Sequence, residues 1–268
     1  MKILALKEIA RTAPSALATR AKPGLSSRYA FLSTAEAIRI HADQGWFPVC
    51  ARQARTRIPG YDGFTRHEIV FRRLTDKPAM ELGEVIPELR LVNSHAGQCS
   101  YQLHAGLMRL VCLNGLVAPA SAAGRLRVRH TVREVRELAE RLNDVSAHLP
   151  KLFEVVHRWQ KIPLLPDQIS RLAATGLRLR YGDREDRWPA TPEAVALTTR
   201  RPEDQGDDLW ATFNRIQENV TQGGPEVPGK IDERRRHRRS IRRLGSIAAG
   251  IRINQGLWEA AETLALAS

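Results

Sequence analysis

The chain has 268 residues, 43% of them hydrophobic and 26% charged, the balance of a folded globular protein that can bury one sizeable core or two small ones. Its formal charge of +13 comes from 42 Lys and Arg against 29 Asp and Glu, and its three cysteines include no C-x-x-C pair, which excludes a disulfide framework and fits a reducing compartment. No apolar run nears the roughly 20 residues that a membrane helix needs, and "MKILALKEIA" is too short and too charged for a secretory leader, so a cytoplasmic protein without a membrane partner is expected.

Residues 1–27 read as an N-terminal arm. The stretch 9–28 is rich in Ala, Arg, Ser and Thr and holds no acid, a composition shared by transit peptides and disordered arms. An α+β core domain is expected over 28–222, with an antiparallel β-meander in the N-terminal half packed on helices and a helical C-terminal third. "YAFLSTAEAIRIHADQGW" predicts a short strand and then a helix, with Ser33 or Thr34 as N-cap, Glu36 closing a capping box and Gly45 at the exit. "WFPVCARQARTR", "RHEIVFRRL", "ELRLVNSH" and "SYQLHAGLMRLVCLNGLV" predict strands separated by Pro-, Gly- and Asp-rich joints. "GRLRVRH" closes the meander. Its alternation puts Arg125, Arg127 and Arg129 on one side and Leu126 and Val128 on the other.

Thr131 then predicts a helix over 131–149, with Glu134 at N3 and Val132, Val135, Leu138, Leu142 and Val145 at helical spacing. A second helical segment runs from Pro150 to Trp159. Further helices are predicted at 167–175, stopped by Gly176; at 192–199, capped by Thr191; and at 208–222, stopped by Gly223 and Gly224. The stretch 223–240 reads as a hinge and basic segment, and 241–268 as a C-terminal helix.

The charge is segregated: +10 over residues 1–130, −2 over 131–229 and +5 over 230–268. A uniform genomic preference for Arg would raise all three parts, so the pattern points to a polyanion partner. The candidate phosphate ligands are Arg52, Arg55, Arg57, Arg125, Arg127, Arg129, and the tail residues Arg234, Arg235, Arg236, Arg238, Arg239, Arg242 and Arg243. Tyr61 and Phe64, in the joint after Arg57, are the candidate stacking rings.

Chemistry-bearing motifs are sparse. Taking Ala96–Gly97–Gln98 as a three-residue hairpin loop places Leu91 opposite Leu103, with His95 and Cys99 on one side of the sheet and His104 and Cys112 on the other. Four ligands cannot then converge on a metal. Gly224 to Lys230 spells G-x-x-x-x-G-K, but Ile231 stands where Mg²⁺ needs a hydroxyl and two prolines remove phosphate-cradling N–H groups. Asp183, Glu185 and Asp186, and Glu203, Asp204, Asp207 and Asp208, read as loop and cap residues rather than metal-binding pairs. No hydrolase elbow, zinc helix or dinucleotide fingerprint is present. No enzyme and no cofactor are expected.

Three blocks, "LRLVNSHAGQCSYQLHAGLMRLVCLNGLV", "LWATFNRIQENVTQGG" and "INQGLWEAAETLA", resemble the signature blocks of the uncharacterised phage- and plasmid-borne family of the YafZ/YfjQ/YubP type. The family-motif positions are Asn93, Ser94, His95, Arg109, Cys112, Asn114, Gly115, Trp210, Asn214, Gln217, Glu218, Asn219, Gly223 and Gly224. The resemblance implies a mobile-element setting and carries no settled activity. The strand-rich front followed by helices is similar, at the level of fold, to single-strand annealing proteins of the Redβ/Erf kind. In the second block Leu209, Phe213, Ile216 and Val220 share one helix face, and the amides beside them are expected to pin backbone in a core.

The functional expectation is a non-enzymatic DNA-binding protein, favouring single strands in recombination, with self-association open. Two alternatives stand beside it: a protein whose basic tail docks on a host partner, and a metal-dependent nuclease using the acids of 183–208.

Overall fold

The computed structural model describes residues 2–73, 85–109, 114–117, 125–131, 145, 149–224 and 240–268. The expected helix over 131–149 lies almost wholly outside the described residues. So do Arg234 to Arg239, Cys112 and the G-x-x-x-x-G-K stretch beyond Gly224. The chain forms two compact units, Met1–Lys151 and Leu152–Ser268.

The first unit is built on an antiparallel sheet of β1 (Trp46–Gln53), β2 (His67–Arg73), β3 (Val85–Asn93), β4 (Tyr101–Arg109), β5 (Asn114–Val117) and β6 (Arg125–Val128). Neighbours follow chain order from β1 to β5, and β6 lies end to end with β5 along the same edge of β4. Leu91 pairs with Leu103, the register read from the hairpin. Helices α1 (Leu6–Thr12) and α2 (Thr34–Asp43) pack on β1. Ser33 caps α2 through Glu36 N–H at 3.2 Å. The expected strand before α2 does not form: residues 29–32 lie outside the sheet, and Ala30 N–H bonds the carbonyl of His130.

One sheet face is the core. Ile69, Phe71, Leu89, Leu91, Leu103, Ala105, Leu107, Leu126 and Val128 are buried on it, under Ile9, Ala13, Ala16, Ala37 and Ile38. The first 27 residues therefore contribute directly to this core. The other face is polar, and a bulge between Pro48 and Cys50 in β1 decides what it carries. Strict alternation would send Arg52 to the core side with Trp46 and Pro48; the extra residue flips it beside Glu68.

The second unit is helical: α3 (Leu149–Trp159), α4 (Pro166–Tyr181), α5 (Pro192–Leu197), α6 (Leu209–Gln222) and α7 (Ile247–Ala267). Every residue of α6 from Leu209 to Thr221 is buried. Trp159 packs 4.6 Å from Trp258 and 5.3 Å from Phe213, ring to ring, with Trp210 beside them. Thr191 and Asp208 cap α5 and α6 as their positions predict.

One glycine and the start of the last helix differ from expectation. Gly176 does not stop α4, which continues to Gly182; a Cβ at 176 would meet Ile216 at 3.1 Å and Val220 at 3.3 Å, so the glycine lets α4 lie close against α6. The C-terminal helix begins at Ile247, not at 241. Residues 240–246 are extended because Ile241 and Leu244 exchange backbone bonds with Gly224 and Thr221. Gly223 (φ +100°) makes that approach feasible: a Cβ there would sit 3.0 Å from the Ile241 carbonyl oxygen.

Candidate nucleic-acid interface

The antiparallel connections bring four segments to one end of the sheet: 13–31, the β1–β2 loop 54–66, the β3–β4 loop 94–100, and the exit of β6 at 127–131. Backbone bonds lock them together. Ala54 N–H reaches Arg66 O at 2.7 Å, His95 N–H reaches Phe64 O at 3.1 Å, and Lys22 N–H reaches His95 O at 2.8 Å. These segments contain Arg20, Lys22, Arg28, Arg55, Arg57, Arg66, Arg127 and Arg129, with Asp62 as their one acid. Arg55, Arg57, Arg127 and Arg129 are exposed, the last two as the alternation of "GRLRVRH" predicts. Arg127 Nε donates to Ser100 Oγ at 3.0 Å, and Arg66 to the Gln98 carbonyl at 3.3 Å. The Lys22 ammonium lies 4.4 Å over the Tyr61 ring, a cation–π contact. Tyr61 and Phe64 are both half-buried. The Phe64 carbonyl accepts from Ser94 Oγ and His95 N–H, so Phe64 anchors the loop, and Tyr61 is the ring that meets a cation of the rim.

A polar cluster is packed directly beneath. His67 bonds Ser15 Oγ at 3.1 Å and Thr34 Oγ1 at 2.8 Å; Thr34 Oγ1 also meets His95 Nε2 at 3.4 Å and accepts from Asn93 Nδ2 at 3.0 Å. The Asn93 Oδ1 accepts from Ser94 N–H. His130 stacks on Tyr29 with ring centroids 4.6 Å apart. Burial strips water from these imidazoles and disfavours their charged form, pushing His67 down to about 4 and His95 down to about 3, and lowering His130 as well. Neutral, buried and hydrogen-bonded, they tie α2 and the N-terminal segment to the two hairpin loops. The motif Asn93–Ser94–His95 thus works by fixing the platform under the arginines. Cys99, beside Arg66, has its thiol raised by burial.

Arg52 stands apart from that rim. On the polar face it donates to Glu68 at 2.5 Å, Arg90 joins Glu68 and Glu88 at 3.2 Å each, and Arg72 meets Glu88 at 2.6 Å. Both carboxylate side chains are 1% exposed. Burial alone would raise the Glu68 pKa, but Arg90 and Arg52 outweigh it and hold the carboxyl below its ordinary value. Arg125 pairs with His104 through the backbone of β6. Arg242 and Arg243 are exposed, in the extended stretch of the second unit.

The remaining motif residues are engaged in structure. Arg109 pairs with Asn114 and Met108 with Gly115 along the β4–β5 ladder. In α6, Asn214 donates to the Trp210 carbonyl, Gln217 to Asn254 at 2.9 Å, and Asn219 to the carbonyls of Val195 and Thr198. Glu218 receives both arms of Arg201 at 2.9 and 3.2 Å. The arginines Arg180 and Arg200 reach the carbonyls of Val220 and Gly223 at the helix C-terminus, where the macrodipole favours cations. Asn214 and Asn219 pin backbone carbonyls, and Gln217 joins α6 to the side chain of Asn254.

The acids of 183–208 have similar local roles. Asp183 and Glu185 meet Arg178, Asp186 meets Arg184, Asp207 meets Arg215, and Asp208 caps α6. Glu185, Asp186, Trp188 and Thr191 line a shallow cavity of about 290 Å³. Among the described residues no three His, Cys, Asp or Glu converge to hold a metal ion, and no helix is long and apolar enough to cross a membrane.

The deciding features absent from the sequence reading are the links from Ser15 and Thr34 to His67 and His95, and the Glu68–Arg90–Glu88 network. The spacing of Glu68 with Arg72, and of Glu88 with Arg90, was the available signal: charges at even separation on apolar strands must share a face.

Residues 24–248 match the family model described as a domain of unknown function, DUF932. Two curated relatives, the UPF0380 proteins YafZ and YfjQ of Escherichia coli K12, are each 34% identical over 262 residues, covering 97% of this chain and 91% of theirs. No solved structure matches the chain. With the family model spanning most of the chain and both relatives matching it nearly end to end, the protein belongs to the DUF932 family.

Proposed function

We propose that this protein is a non-enzymatic DNA-binding protein that holds single strands at the basic end of its sheet, serving strand annealing or recombination on a plasmid or prophage. The observation that carries the reading is the gathering of eight cations and one acid from three non-adjacent segments, around a tyrosine, on a platform fixed by buried bonds. Arginines along a rim can neutralise successive phosphates, and a ring beside them offers sequence-tolerant stacking to unpaired bases. Similarity to Redβ- and Erf-like annealing proteins belongs to this proposal and rests on the order of strands and helices.

The test is fluorescence anisotropy of a labelled single-stranded oligonucleotide and its duplex against a salt series, with and without Mg²⁺. Single-strand preference that survives physiological salt supports the reading. Equal weak binding to both that vanishes with salt overturns it and directs the search to an acidic protein partner; Mg²⁺-dependent cleavage would return the acids of 183–208 to consideration.

A further inference from the structure

The tip of the β1–β2 loop carries Ile58, a large apolar side chain 55% exposed. Single exposed hydrophobics are ordinary on protein surfaces, but the setting of this one is specific. Arg55 and Arg57 precede it, both exposed and without an ion-pair partner among the described residues. Pro59 follows, so the tip presents two apolar side chains in succession and lacks one backbone donor.

The loop is built to hold that tip out. Ile58 N–H bonds Thr56 Oγ1 at 3.1 Å, Tyr61 N–H bonds the Ile58 carbonyl at 3.3 Å, and Gly60 takes φ +74° to close the turn. A second turn runs from Tyr61 to Phe64 at 2.9 Å, and Phe64 O is bonded by the β3–β4 loop. Gln53 Nε2 reaches the Asp62 carbonyl at 3.4 Å. An apolar side chain held in water by its own turn, directly after two exposed arginines, fits a polyanion with apolar surface between its charges. Nucleobases flanked by phosphates are that chemistry, and Ile and Pro are side chains that serve as wedges between base steps.

We infer that the Ile58–Pro59 tip inserts between adjacent bases of the bound strand while Arg55 and Arg57 hold the flanking phosphates. The inference rests on the proposed DNA binding and adds how the strand is seated. Insertion unstacks two neighbouring bases, so it leaves an optical mark that phosphate contacts alone do not.

The experiment uses the full chain and a single-stranded oligonucleotide carrying 2-aminopurine, whose emission rises on unstacking, with anisotropy read in parallel. Wild type should raise the emission on binding. Ile58→Ser should bind about tenfold more weakly with an unchanged salt slope and no rise, and Ile58→Phe should restore both. Ile58 is exposed, so folding is preserved and circular dichroism checks it. If Ile58→Ser matches wild type in affinity and emission, the wedge is overturned and the DNA-binding reading stands. If wild type binds no oligonucleotide, both fall.

Discussion

Arg90 is the hinge of the charge network on the polar sheet face, and replacing it with Met isolates what that network contributes. The substitution keeps most of the side-chain length but removes the two 3.2 Å contacts to Glu68 and Glu88, whose side chains are 1% exposed. Breaking a buried ion pair from one side costs about 3–5 kcal/mol, because the remaining charge loses its compensation. Arg52 and Arg72 stay in place, so the lower end, about 3 kcal/mol, is expected, or roughly 6–12 °C in Tm. The pH dependence carries the sharper signature. In the wild type Glu68 titrates below its ordinary value, so its contribution is present above the unfolded pKa and is lost as pH falls through the folded one. In the variant the buried carboxyl has lost Arg90 and takes up a proton at higher pH, which relieves the penalty. Urea unfolding followed by circular dichroism should therefore show a gap between wild type and Arg90→Met that is largest near about pH 7 and narrower near about pH 5. A gap below about 1 kcal/mol at neutral pH, or one independent of pH, would mean that Arg90 does not compensate the two buried carboxylates.

The buried imidazoles give a second titration. His41 and His67 are pushed down to about 4 and His95 to about 3, so the unfolded chain takes up protons first as pH falls below about 6.5. Stability should drop by up to about 1.4 kcal/mol per pH unit for each histidine until its folded pKa is reached, and His67→Gln should flatten urea-derived stability against pH by about one proton. Gly223→Ala should cost about 1–3 kcal/mol, since φ is +100° and the new Cβ would meet the Ile241 carbonyl; hydrogen exchange at Leu244 N–H, bonded to Thr221 O, should speed up in that variant. Asn219→Ala leaves the carbonyls of Val195 and Thr198 without their donor and should lower stability by about 1–3 kcal/mol by thermal shift. DNA affinity should not change. A selective loss of binding in a stably folded Asn219→Ala variant would assign that amide to the ligand.

What was legible in the sequence is local. The caps at Ser33, Thr191 and Asp208, the exit at Gly223, the alternation of "GRLRVRH" and the Leu91–Leu103 register each depend on residues within one turn or one hairpin. What was illegible depends on distant partners. Gly176 reads as a stop, yet it serves contacts to Ile216 and Val220 some 40 residues on. Ile241 and Leu244 sit at helical spacing, and pairing with the end of α6 overrides it. Arg52 reads as a surface cation until the bulge at Pro48/Cys50 turns it to Glu68. The same limit applies to the site. Arg55, Arg57, Arg127 and Arg129 could be named one segment at a time. Their meeting at one sheet end, with Arg20, Lys22, Arg28 and Arg66 beside them, follows from a topology that no single window contains.

If this basic end holds a nucleic acid through its arginines, the affinity of an Arg127→Glu/Arg129→Glu variant for a labelled single strand across a salt series must register it. Both residues are exposed, one in the edge strand and one just past its end, while Leu126 and Val128 fill the core, so the fold should be retained. An Arg242→Glu/Arg243→Glu variant, equal in charge change but placed in the other unit, controls for net charge. The first variant should lose more than about tenfold in affinity, with a salt slope smaller by about 1–2, and the control should lose less. Equal affinity of the first variant and the wild type, or equal losses in both variants, would contradict binding at this end.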